Sequence, residues 1–214
     1  MYRRMMLIRH FDEAVKKLFN AGRIPGSAHL SIGQEGEVVG ACMALGREDY
    51  MVGNHRSHGH PIGKGADVKA LMAEILGKVT GVNRGKGGSM HLADFSVGSL
   101  GESSIVGSGL PVAVGAALGS QMQGNSRVTL CFFGDGASNQ GAVFEAMNLA
   151  SVLKLPVLFV FENNGYAEFT GVDYHCGGGD IAGRAEGFGM PSYKLDGSDF
   201  FAVQEAAAEA VERA

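Results

Sequence analysis

The sequence of 214 residues predicts an α/β domain built on a parallel sheet flanked by helices. Three observations carry that reading. Residues 127–133 and 156–162 read as strands, the first apolar from Val128 to Phe133 except for Thr129 and the second apolar throughout up to Glu162. Residues 139–153 between them have a helical pattern, and a helix of that length spans about 22 Å, enough to return the chain across a sheet. Strand, helix and strand joined by short connections form a βαβ unit, so the two strands run parallel. The third observation is the 34 glycines, about twice the usual share of ~7%. They follow no three-residue period, which excludes collagen, and they imply many tight turns or close approaches of backbone to a ligand.

The remaining elements follow in order. Residues 2–21 have apolar side chains at Phe11, Val15, Leu18 and Phe19, a helical spacing ended by Gly22 and Pro25. This helix carries Arg3, Arg4, Arg9, Lys16 and Lys17, expected to be a solvated face rather than a docking stripe. Residues 34–45 form a second helix stopped by Gly46, and residues 51–65 read as a loop holding His55, His58 and His60. Residues 67–80 form a helix capped by Asp67, with Leu71, Ile75 and Leu76 on its apolar face and Gly81 as its terminator. Residues 85–109 are glycine- and serine-rich and aperiodic, and loops of that length are usually functional. A small-residue helix covers 111–123, with Pro111 near its first turn. Lys194 and Leu195 sit in a short third strand, and Ser198 or Asp199 starts a last helix over 200–213. That helix runs into Ala214 without a stop signal, so the expectation is a single domain over 1–214 in an incomplete chain.

Composition bounds the function. With 18 basic and 22 acidic side chains the net charge is −4, and no long basic run favours nucleic acid. The longest apolar stretch, 149–161, is short and interrupted by Lys154, so no membrane segment is expected, nor a signal peptide. The three cysteines show no CxxC spacing and point to a reducing, cytoplasmic setting. Cys42 and Cys131 lie in apolar runs and read as core, while the role of Cys176, in a glycine-rich loop, stays open.

Chemistry concentrates after the two strands. Gly134-Asp135-Gly136-Ala137 follows the first and Glu162-Asn163-Asn164-Gly165-Tyr166 the second. In a βαβ unit both segments emerge at the carboxyl edge of the sheet, where open α/β sheets bind ligands. Asp135 and Asn164 therefore meet although 29 positions apart. A carboxylate, an amide oxygen and a backbone carbonyl are hard donors that suit magnesium completed by phosphate oxygens, not zinc. Gly136 and Ala137 leave backbone N–H groups at a helix start, which attract anions. The set describes a site for magnesium and a diphosphate. The plain alternative is an ordinary strand-to-turn loop with an aspartate capping a helix.

These motifs resemble the thiamine-diphosphate signature. The wider chain resembles the alpha subunit of the decarboxylating component of 2-oxo acid dehydrogenase complexes, pyruvate and acetoin types included. The matching stretches are residues 29–35, 55–59, 85–91 and 105–107, GDGASNQGAVFEAMNLA and FENNGYA. The resemblance implies a thiamine-diphosphate-binding fold, with Asp135, Asn164 and the Tyr166 carbonyl coordinating magnesium. It implies that Gly134, Gly136 and Ala137 line the cofactor and that Arg56 pairs with the diphosphate. It has His55 where the family has tyrosine, donating one hydrogen bond. Ser104, which stands where the family has glycine, and Val106 would meet the aminopyrimidine through their backbone, and His29 would lie near the substrate. The implied activity is oxidoreductase chemistry: the cofactor accepts electrons as a 2-oxo acid loses carbon dioxide, or as acetoin is cleaved, and the acyl group passes to a lipoyl-bearing acyltransferase. The implied partner is a beta subunit, in a heterotetramer, which completes the site and without which the alpha chain is inactive. A histidine-bearing loop of the family lies beyond the last helix present here. Two rival readings are a non-catalytic, truncated subunit that only docks a beta chain, and a nucleotide-binding protein, against which the absent Walker lysine argues.

Other candidates weigh less. The HxxHxH run of His55, His58 and His60 suggests zinc, but nothing completes a tetrahedral site. His58 is expected to face the cofactor entrance, and His91 is either structural or substrate-facing. His10 and His175 are expected to be surface or loop residues without a special role, and Glu145 structural. Gly107-Ser108-Gly109 lacks the third glycine of a dinucleotide loop.

Overall fold

A strand that is apolar at every position needs helices on both of its faces, and the computed structural model, which describes residues 1–56 and 58–214, shows how they are supplied. Strand β3 (Thr129–Gly134) alternates its side chains between two cores. Leu130 and Phe132 enter one with Ile8, Val39, Ile62 and Leu71. Cys131 and Phe133 enter the other with Leu110, Val114, Val143 and Met147. Burying each such large apolar side chain contributes about 1.5–3 kcal/mol. Thr129, the expected exception, is fully buried as well.

The first core is walled by α1 (Tyr2–Asn20), α2 (Glu35–Met43), α3 (Gly59–Lys64) and α4 (Val68–Ile75). The second is walled by α5 (Gly109–Met122) and α6 (Gly141–Leu153). The central sheet has the order β2-β1-β3-β4 and is parallel throughout, with β1 at Tyr50–Val52, β2 at Ser99–Gly101 and β4 at Val157–Glu162. The expected βαβ unit is β3-α6-β4, in register from Thr129 opposite Val157 to Gly134 opposite Glu162. The chain leaves β1 towards β2 on one side and returns to β3 on the other, so a topological switch point lies between β1 and β3.

The last helix, α8 (Phe200–Arg213), starts where expected, with Asp199 accepting from the Phe201 and Ala202 amides. It lies against α2 because Gly40 has no side chain: a Cβ there would stand 3.0 Å from the Val203 Cβ. A small antiparallel ribbon, β5 (Tyr166–Ala167) and β6 (Thr170–Gly171), leads into the short α7 (Val172–His175).

Several sequence expectations change. The loop over 51–65 contains β1 and α3, elements too short for periodicity to reveal. The aperiodic 85–109 stretch contains β2 and two 3-10 turns, Gly88–Met90 and Phe95–Val97. Helix α4 ends at Ile75, and the chain turns at Gly77 (φ +68°) rather than running to Gly81. Lys194 and Leu195 form no strand; that segment lines a cavity of about 700 Å³ beside the outer face of β4. On α1, Arg9 is not free in solvent: it grips Glu35 through two bonds, at 2.6 and 3.1 Å, and Arg4 donates to the Gly63 carbonyl. Arg3, Lys16 and Lys17 are exposed, as a solvated face requires. All three cysteines are buried, Cys176 included. No described helix is long and apolar enough to cross a membrane.

Candidate functional site

Because the four strands are parallel, their carboxyl ends deliver four loops to one edge. The loop after β1 carries Asn54, His55 and Arg56, and the loop after β2 carries Glu102 to Val106. After β3 come Asp135 and a 3-10 turn over Gly136–Asn139, and after β4 come Asn163 to Tyr166. The spacing argument brought together only the last two. The sheet adds the other two, and every candidate site residue lies on one of these four segments except His29 and Gly134, the last residue of β3.

The β3 and β4 loops meet. The Asp135 amide donates to the Glu162 carbonyl at 3.3 Å. Gly136 approaches the β5 ribbon so closely that a Cβ would stand 2.6 Å from the Ala167 Cβ, so glycine is required there. Asp135 is 1% exposed, and its Oδ2 has no hydrogen-bond partner among the described residues. A buried carboxylate oxygen left without a donor is costly and marks a place where a cation or donor fits. The Asn164 side chain is exposed and its Oδ1 accepts from the Tyr166 amide at 3.1 Å. The donor set is all oxygen and suits a hard cation.

His175 faces Asp135, contrary to the expectation of an uninvolved loop residue. Its Nε2 stands 3.3 Å from Asp135 Oδ2, and its Nδ1 lies 3.1 Å from Asn139 Nδ2. The β5–β6 ribbon turns the chain back over the sheet edge, which spacing along the sequence does not reveal. Arg184 secures the same turn, donating to the Ser138 carbonyl at 2.7 Å, to Ser138 Oγ and to Asn139 Oδ1.

On the β1 side, the Arg56 amide donates to Asn54 Oδ1 at 2.8 Å and its guanidinium to the Leu30 carbonyl at 2.7 Å. His29, one residue before that carbonyl, packs edge-to-face on His55, the ring centroids 4.9 Å apart. Burial, helped by His29 and Arg56, pushes the His55 imidazole down to about 4, and burial and Arg56 lower His29 too. Both rings are therefore neutral near pH 7 and able to accept or relay a proton. Ser104 Oγ lies 3.3 Å from His91 Nε2, whose ring also touches the Glu102 carbonyl through Nδ1 at 3.2 Å. Val106 is 42% exposed on the open side of the edge.

His58 does not face an entrance. It is fully buried, with Nδ1 2.6 Å from Asp12 Oδ1 and Nε2 2.8 Å from Ser89 Oγ. Asp12 also accepts from the Ser31 amide and hydroxyl, which ties α1 to the segment that holds His29. His60 is buried against Glu162 at 2.9 Å, so the three rings of the HxxHxH run serve three different neighbourhoods. Ser57, part of the same matching stretch, lies outside the described residues. Glu145 is exposed on α6, and His10 is exposed beside Glu13.

Sequence reasoning missed the buried acids. Glu74 collects the amides of Asn83, Gly85, Gly87 and Gly88, which orders the glycine-rich loop. These four donors hold its carboxyl below the usual range against the opposing effect of burial. Asp12 was equally silent. For Glu162 a signal existed, a charged residue closing an otherwise apolar strand.

The family model for the dehydrogenase E1 component matches residues 3–214. The chain belongs to that family. It is 49% identical over 214 residues to the alpha subunit of acetoin:2,6-dichlorophenolindophenol oxidoreductase of Bacillus subtilis, and 50% identical over 213 residues to that of Cupriavidus necator. It is also 43% identical over 211 residues to the pyruvate dehydrogenase E1 component subunit alpha of Rhizobium meliloti. These alignments take in 99–100% of this chain but only 61–64% of the relatives, so the chain spans under two thirds of their length. Among solved structures, a putative thiamin diphosphate-dependent enzyme from Mycobacterium smegmatis aligns with a TM-score of 0.52 at 21% identity, covering 87% of this chain and 30% of that one. That likeness supports the fold, a parallel sheet flanked by helices, and the family model bears out the resemblance read from the motifs at the level of the family.

Proposed function

We propose that this E1-family chain is the cofactor-gripping domain, residues 1–214, of the alpha subunit of a thiamine-diphosphate-dependent 2-oxo acid or acetoin dehydrogenase. The observation that carries the reading is the convergence of four strand-end loops on one edge, with a buried Asp135 oxygen at its centre that accepts no hydrogen bond and is faced by His175 at 3.3 Å. The names of the curated relatives support the same class of enzyme.

Asp135, Asn164 and the Tyr166 carbonyl would hold magnesium, for which their hard oxygens fit. The amides of Gly136 and Ala137 and the Arg56 guanidinium would hold the diphosphate, with Gly134 at the strand end lining it. Ser104 and Val106 would meet the aminopyrimidine through their backbone. When bound, the cofactor supplies an electron sink for cleavage beside the substrate carbonyl. His29, neutral and packed on His55, would orient the substrate oxygen or move a proton there. The reading assigns the chain to the cytoplasm, with a beta subunit as its partner and a lipoyl-bearing acyltransferase as acceptor of the acyl group.

The test is calorimetric titration of thiamine diphosphate into the full-length chain assembled with its beta partner, with and without magnesium. Asp135→Ala is expected to abolish magnesium-dependent binding. Unchanged affinity in that variant would reject the reading.

A further inference from the structure

Glu162 is the last residue of β4 and directly precedes Asn163-Asn164. It is 3% exposed, and both of its carboxylate oxygens are engaged. Oε2 accepts from Asn54 Nδ2, and Oε1 lies 2.9 Å from His60 Nε2. Asn54 passes the constraint on, because its own Oδ1 accepts the Arg56 amide at 2.8 Å. His60 is fully buried, stacked on Phe132 with centroids 4.3 Å apart, and its Nδ1 stands 3.6 Å from Glu102 Oε1 in the loop after β2.

The sheet order gives this contact its meaning. Strand β4 neighbours β3, and β1 lies on the far side of β3. Both strands pair with β3 and not with each other, so the sheet fixes the spacing of the strands but not that of the loops beyond their ends. The Glu162–Asn54 bond spans the end of β3, whose next residue is Asp135. An apolar side chain would fill the same buried space without the desolvation penalty of a carboxylate. What a carboxylate adds is two directed bonds to two different elements, the loop after β1 through Asn54 and helix α3 through His60.

We propose that Glu162 is a positioning residue that sets the spacing between the Arg56 loop and the Asn163–Tyr166 loop, so that the diphosphate and its metal are gripped together. The proposal rests on the cofactor reading above and assigns to it a residue that touches neither ligand. Glu162→Gln keeps the shape but turns an amide N–H towards either Asn54 or His60, where a lone pair was needed.

The experiment titrates thiamine diphosphate at saturating magnesium into the full-length chain assembled with its partner, at a temperature where circular dichroism shows each variant fully folded. Glu162→Gln is expected to weaken binding about 10- to 100-fold, the scale of one lost charged hydrogen bond. Asn54→Ala should weaken it to a similar degree, and the double variant should lose no more than the worse single one, because both break the same link. A lower thermal midpoint with unchanged affinity, or strictly additive losses, overturns the proposal. If Glu162→Gln does not fold, the half-buried Asn54→Ala decides alone, and unchanged affinity there overturns it too. A wild-type protein that fails to bind the cofactor removes the proposed function itself, a result distinct from wild-type binding that the variants leave unaltered.

Discussion

Two regions of the same sheet edge are built on opposite principles. Beneath the edge, Asp12, His58, Ser31 and Ser89 form a dry cluster in which buried polar atoms meet partners at 2.6–3.1 Å. At its rim, Asp135 keeps a buried oxygen that accepts no hydrogen bond and is faced by His175 at 3.3 Å, and Asn163, Asn164 and Tyr166 stand exposed. The lower region joins distant segments through its polar atoms; the upper region holds only local turn bonds, Asn163 and Asn164 Oδ1 each accepting the amide two residues on. A site that is to take up an ion and an anion needs both, because loose ligating loops are useless without a rigid frame.

The contrast predicts opposite signs for removing a carboxylate. Asp12→Ala leaves His58 and the Ser31 amide buried without an acceptor, which is expected to destabilise the chain by about 3–5 kcal/mol. Thermal unfolding should show a drop in midpoint on the order of 10 °C. A loss under about 1 kcal/mol would mean the dry cluster is not a frame. Asp135→Asn, by contrast, removes a poorly compensated buried carboxylate. It is expected to raise the stability of the ligand-free protein by about 1 kcal/mol while weakening metal binding, the usual trade at a functional site. Denaturant melts with and without magnesium would separate the two effects.

The smallest effect concerns pH. The His55 pKa falls from 6.5 in the unfolded chain to about 4 in the fold. Between those values the unfolded chain binds a proton that the folded chain does not. The stability that this contributes is therefore full above pH 6.5 and is lost as pH falls towards 4. His55→Asn should flatten the stability profile across that window by roughly 1 kcal/mol, after discounting for partial exposure. Parallel profiles for the two proteins would contradict the assignment.

Legibility differed by element for physical reasons. The β3-α6-β4 unit was readable because its apolar runs are long and its helix has the length of a crossover. Strands β1 and β2 have three residues each and exist through pairing: Met51 sits opposite Leu130 on one side and Ser99 on the other. Helix α3 reads Gly-His-Pro-Ile-Gly-Lys, with little helix propensity, and forms because its residues from Gly59 to Gly63 are buried. The expected strand at Lys194 and Leu195 had an apolar neighbour to pair with but no ladder, and its residues remain partly exposed over β4.

Local chemistry in the sequence was enough to establish the parallel βαβ unit, the GDG and ENN loops at one edge, and membership of the E1 family. Those features depend on residue type and short spacing, which are written along the chain. Only the tertiary structure decided that His175 faces Asp135, that His58 is sealed against Asp12, and that Glu162 reaches Asn54 across β3. These contacts join residues 40, 46 and 108 positions apart (175 − 135, 58 − 12 and 162 − 54), and no local pattern specifies them. They arise because a parallel sheet stacks distant strand ends side by side, and buried polar atoms must then find partners within reach.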